Sequence, residues 1–133
     1  MQTFDDVARI VSELPEATEG QEKHHGNRAW QVNGKAFAWE RPFSKADIKR
    51  YGDERPPQGQ ILGIRTADLE EKQAILGAGK AGFFTIPHFS NYPAYLVHLD
   101  EVAEEDLREA LTDGWLVYAP PGLAERFLGR PQP

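Results

Sequence analysis

The sequence predicts an α+β fold: an antiparallel sheet of about five strands with helices covering one face, in the order α-β-β-β-α-β-β-α-α. Three observations predict it. Asn33-Gly34 separates two runs rich in aromatic and apolar residues, which is the strongest short-range signal for a hairpin with a primed turn. Two further apolar runs, Phe83–Ile86 and Ala94–Leu99, read as strands, and the turn-and-aromatic cluster between them as the connection that brings them together. Apolar residues at three-and-four spacing mark helices near both ends of the chain, and no strand–helix–strand repeat runs along it.

Taken in order, Thr3–Leu14 reads as an amphipathic helix with Phe4, Val7, Ala8, Val11 and Leu14 on one stripe. Thr3 is its expected cap, Asp5 and Asp6 suit its positive end, and Pro15 stops it. Residues 16–27 are polar and read as loop, with a short edge strand expected near His24-His25. Ala29–Val32 and Lys35–Arg41 form the hairpin, with Phe37 and Trp39 expected on one face and Ala36 and Ala38 on the other. Residues 42–59 read as a long loop with one helical turn around Lys45–Tyr51, and Ile61–Arg65 as a strand. Thr66 is the expected cap of a helix over Asp68–Leu76 that ends at Gly77 and Gly79. After the second strand pair come a helix over Glu104–Tyr118, with Leu107, Ala110, Leu111 and Trp115 inward, and a short helix over Leu123–Leu128. Residues 129–133 read as a frayed tail.

The totals bound the function. The chain has 133 residues, the length of one domain, and no cysteine, so disulfides, thiolate metal sites and cysteine nucleophiles are excluded. The first residues are too polar for a secretory signal, and no apolar stretch is long enough to span a membrane; a cytoplasmic location is expected. The net charge is −6, the wrong sign for a protein that neutralises phosphates over its whole surface. Much of that charge sits in one place, because Asp100–Glu109 holds six acids against Arg108 alone. The rest of the chain is close to neutral.

The segment Gly82–Leu99, GFFTIPHFSNYPAYLVHL, concentrates the candidate recognition residues. Its connection is rich in proline and aromatic residues and orders itself by its own packing, so His88, Asn91 and Tyr92 are expected at fixed surface positions. With Trp30 and Trp115 they make a candidate surface for a small ligand or a protein partner; Trp39 belongs to the same aromatic set, and at least one of Trp30 and Trp39 is expected to be buried. Lys35, Arg41, Lys45, Lys49, Arg50 and Arg55 form a candidate basic patch, diluted by Glu40, Asp47, Asp53 and Glu54. His24 and His25 are adjacent and on an extended segment point to opposite faces, which argues against a shared metal. Ser90 lies two residues after His88 with Asp100 downstream, but no nucleophile elbow surrounds it. Gly77, Gly79 and Gly82 do not match a phosphate-cradling loop. No metal, cofactor or catalytic motif stands out, and the protein is expected not to be an enzyme.

The stretches LPEATEG at Leu14–Gly20, HGNRAWQVNGKAFAWERP at His25–Pro42 and FFTIPHFSNYPAYLVHLDEV at Phe83–Val102, supported by DLEEKQAIL at Asp68–Leu76, resemble the MmcQ/YjbR-like family. The resemblance runs from the first helix to about Phe127. It implies a frataxin-like (CyaY-like) α+β fold and DNA binding through a double-wing arrangement. Members often carry basic residues just after the tryptophan of the last long helix; here Leu116–Gly122 has none. The first expectation is therefore a DNA-binding accessory protein using Lys35, Arg41, Lys45, Lys49 and Arg50 with the Phe89–Tyr92 connection. The second is a ligand- or partner-binding module using a cleft near His88 and Tyr92.

Overall fold

A computed structural model describes residues 2–21, 27–42, 49 and 60–127. Helix α1, Phe4–Val11, begins where Thr3 and Asp6 close a capping box: the Asp6 amide donates to Thr3 Oγ1 at 3.3 Å and the Thr3 amide to Asp6 Oδ2 at 2.8 Å. Its buried stripe is Val7, Ile10 and Val11, with Leu14 following in the turn that leaves the helix.

Among the described residues six strands follow: β1 (Thr18–Gln21), β2 (Arg28–Val32), β3 (Lys35–Glu40), β4 (Ile61–Arg65), β5 (Phe83–Phe84) and β6 (Ala94–His98). They form one open antiparallel sheet in the order β1-β2-β3-β4-β6-β5. The expected α+β order holds with one strand added. That strand is β1, an edge strand with mostly exposed residues, which lacks the apolar alternation that marks a strand in sequence. The edge strand expected near His24-His25 and the helical turn expected around residues 45–51 fall largely outside the described residues. Asn33 and Gly34 take φ values of +55° and +77°, the left-handed pair a primed turn requires, and Val32 pairs directly with Lys35.

Helix α2 spans Leu69–Gly77, and its cap corrects the sequence reading. Asp68, not Thr66, accepts from the Glu71 amide, at 2.8 Å; Thr66 is buried and donates its hydroxyl proton to the Asp68 carbonyl. Thr66 thus fixes the approach to the cap from two residues further back. Helix α3 spans Glu104–Tyr118 as expected, and α4 runs Pro121–Phe127, entered through a proline that costs nothing at a helix start.

The main core lies between one face of the sheet and α1 and α3: Val7, Ile10, Trp30, Phe37, Ile64, Tyr95, Leu111 and Trp115 are among its members. Gly114 lets α3 sit close, since a Cβ there would stand 2.9 Å from Ile64 Cγ2. A smaller cluster, Ile61, Ile86, Phe89, Ala94 and Leu96 with Trp39 and Phe84 against it, forms a second one. The pairing of β2 with β3 skips Phe37, because Trp30 faces Ala38 and Gln31 faces Ala36. This bulge corrects the expected alternation. Phe37 and Ala38 both join the main core, and Trp39 goes to the second cluster, where it lies against Gly63.

Candidate functional site

The connection Pro87–Pro93 is built from the inside out. Ile86 is extended, Pro87 opens a single 3-10 turn over Pro87–Phe89, and the Ser90 and Tyr92 amides donate to the carbonyls of Pro87 and Phe89. Phe89 is buried in the second cluster and meets Tyr92 edge-on, with ring centroids 5.5 Å apart. Beneath it lies a residue that the sequence reading missed. Lys72 of α2 is only 4% exposed, and its ammonium donates to the Phe89 carbonyl and, at 3.0 Å, to the Tyr92 carbonyl. Burial lowers its pKa from the usual lysine range. In sequence Lys72 looks like one more charge in an acidic helix. The available signal was its place on the stripe it shares with Ile75 and Leu76, three and four residues on.

Around this connection the structure assembles a run of alternating cations and rings. The Lys35 ammonium lies 5.2 Å from the Tyr118 ring centroid, and the Arg65 guanidinium lies 6.0 Å from the same ring and 5.2 Å from that of Tyr92. Arg65 Nη1 also donates to the Tyr92 hydroxyl at 3.2 Å. Beyond Tyr92 and Phe89, the Arg41 guanidinium lies 5.5 Å from the Phe89 ring. Among the described residues neither Lys35 nor Arg65 forms an ion pair, whereas Arg9, Arg28, Lys80 and Arg108 all do. Among the described residues Tyr92 is one of two large apolar or aromatic residues that stand out as exposed, at 42%. The run brings together β3, β4, the end of α3 and the connection, which no local motif joins.

The other expected site residues separate. Lys35 and Arg41 belong to the run; Lys49 is exposed; Lys45, Arg50, Arg55, His24 and His25 lie outside the described residues. Asn91 is exposed beside Tyr92 and, with Asp68, Leu69, Glu70 and Pro93, lines a cleft. His88 lies in the 3-10 turn. Trp30 and Trp115 correct the expected ligand surface: both are in the main core, at 1% and 0% exposure, far too buried to meet a ligand beside Asn91. Each indole N–H is already used, Trp30 donating to Glu19 at 3.1 Å and Trp115 to the Pro15 carbonyl at 3.0 Å. Glu19 also takes two bonds from Arg28, which hold its carboxyl below the usual range. His98 meets acids, its Nδ1 standing 2.5 Å from Glu101. Among the described residues no group of three or more histidines or acids could hold a metal ion, and no helix is long and apolar enough to cross a membrane.

Comparison with known proteins adds a family. A family model described as YjbR matches residues 12–117. The chain is 45% identical over 131 residues to Uncharacterized protein Rv2570 of Mycobacterium tuberculosis strain H37Rv, covering 96% of this chain and 97% of that one. It is equally similar to Uncharacterized protein Mb2600 of Mycobacterium bovis, with the same coverage. No solved structure is a significant match.

Proposed function

The chain belongs to the YjbR family, and from that premise we propose that it is a cytoplasmic, non-enzymatic accessory protein that binds DNA. The observation that carries this reading is the run Lys35–Tyr118–Arg65–Tyr92–Phe89–Arg41. Among the described residues Lys35 and Arg65 have no carboxylate to neutralise them, so their charge is open to phosphate. Tyr92 offers an exposed ring to a base or sugar, and base–aromatic stacking tolerates any sequence. The run also answers the lack of basic residues after Trp115. Tyr118, in that stretch, draws its cations from β3 and β4 instead.

The test is fluorescence anisotropy of labelled 20-base-pair and 20-base DNA, at low and near-physiological salt. Micromolar binding that weakens steeply with salt is the expected result. Lys35→Gln with Arg41→Gln should lower the slope of log affinity against log salt by about 1.8, if each cation meets one phosphate. Absence of binding at low salt would reject the DNA reading and turn attention to a small-molecule or protein partner at the Asn91–Tyr92 cleft.

A further inference from the structure

Away from that run, between α2, α3 and the β5–β6 edge, lies a cavity of about 210 Å³. Its apolar wall includes Ile75 and Phe83; Tyr95, Lys80, Glu109 and Asp113 supply its polar groups. Two of these are without partners. The Tyr95 hydroxyl is buried and makes no hydrogen bond, although a buried hydroxyl normally has one. Asp113, half-buried on α3, has no hydrogen bond or ion pair among the described residues. Lys80 does not compensate it, because its ammonium is held by Asp106 at 3.6 Å and Glu109 at 3.4 Å.

We propose that this cavity is a binding site for a small primary amine, whose ammonium donates to Asp113 and to the Tyr95 hydroxyl while its apolar arm lies against Phe83 and Ile75. The charge sets the sign of the ligand: Asp106, Glu109 and Asp113 line the cavity against Lys80 alone. A carboxylate ligand would meet an excess of like charge. A neutral alcohol would leave Asp113 without a counter-charge. An ammonium has three donors and no acceptor, which fits an unpaired carboxylate beside an unpaired phenol oxygen. The size sets the arm: an engineered apolar cavity of about 150 Å³ takes benzene, so a single ring or short alkyl chain fits here and a drug-sized molecule does not. Burial, then Glu109 and Glu71, raise the Asp113 pKa, and burial, then Asp113, Glu71 and Glu109, raise that of Tyr95.

The experiment is a heteronuclear NMR titration of the full chain with benzylamine, benzyl alcohol and benzoate in parallel. Benzylamine should give saturable shifts confined to residues 74–83, 95 and 106–113, benzyl alcohol should bind about tenfold more weakly, and benzoate should not bind. Asp113→Asn should weaken benzylamine about tenfold or more, the loss of one charge-assisted pair. Tyr95→Phe should weaken benzylamine too, yet raise Tm without ligand, because it removes an unsatisfied hydroxyl and little else. That opposite movement separates a lost contact from a damaged fold. Equal binding of the alcohol, unchanged affinity in Asp113→Asn, shifts elsewhere on the chain, or no saturation at millimolar benzylamine would each overturn the proposal. These outcomes leave the DNA reading untouched, since no residue of the cation–aromatic run lines the cavity.

Discussion

Asp113 shows how a single side chain can be a cost in the folded state. Burial is the main cause of its raised pKa; Glu109 and Glu71 add to it and Lys80 opposes it. In the unfolded chain the carboxyl titrates near its ordinary value of 3.8. The folded protein therefore holds this proton more tightly than the unfolded chain does. That stabilising contribution is complete below the unfolded value and is lost as pH rises through the higher folded value. Asparagine carries no such dependence. The difference in Tm between Asp113→Asn and the unaltered protein should shift in favour of the variant as pH rises from about 3.8 through the higher folded value. Thermal melts at several pH values check this, and a difference that stays constant with pH would show that Asp113 is not held protonated by the fold.

At the scale of elements, the connection Pro87–Pro93 depends on a helix it does not touch in sequence. Lys72 ties the Phe89 and Tyr92 carbonyls to α2, so the connection is anchored on that helix. Lys72→Met keeps helix propensity and length but removes the donors. It should cost about 1.5–3 kcal/mol, the loss of charge-assisted bonds to carbonyls that each keep a backbone amide donor, and should speed hydrogen exchange in residues 86–93 beyond the rest of the chain. Uniform exchange across the chain would mean that the lysine merely fills space. The sequence disclosed the connection and its flanking strands because turn chemistry and apolar runs are local signals. It did not disclose Lys72, since a lysine in a charged helix reads as solvated unless its distant partners are known. The same reason hid β1, whose pairing with β2 comes from its neighbour and not from its own pattern. The bulge at Phe37 was hidden too: alternation assigned Phe37 and Trp39 to one face, and only the register of the hairpin sends them to different clusters. Among the site residues, Lys35, Arg41 and Tyr92 are legible as surface cations of the hairpin and an aromatic in a rigid connection. Arg65 and Tyr118, which join them into one run, were read only as the ends of a strand and a helix.

Over the whole molecule, a net charge of −6 opposes DNA binding only if the charge is spread evenly, and it is not. The acid-rich start of α3 is tied up by Arg9, Lys80 and Arg108, while the other end of that helix carries Tyr118 and its cations. The two ends are about 20 Å apart at the rise of an α-helix, more than two Debye lengths at physiological salt. Charge near the run should therefore matter and charge at the far end should not. Glu70 supplies the near site, exposed on α2 in the cleft it shares with Asn91 and Pro93, next to Tyr92. Glu105 supplies the far one, exposed in the first turn of α3. Glu70→Lys and Glu105→Lys change the net charge by the same amount, and neither residue has a partner to lose among the described residues. Each puts a cation at the positive end of its helix, so both should lower stability by a similar amount, about 1 kcal/mol. Anisotropy with the 20-base-pair duplex at low salt should then show several-fold tighter binding for Glu70→Lys and little change for Glu105→Lys, with the difference fading as salt is raised. Equal gains in the two variants would mean that DNA responds to total charge alone, and the cation–aromatic run would lose its claim to be the contact surface.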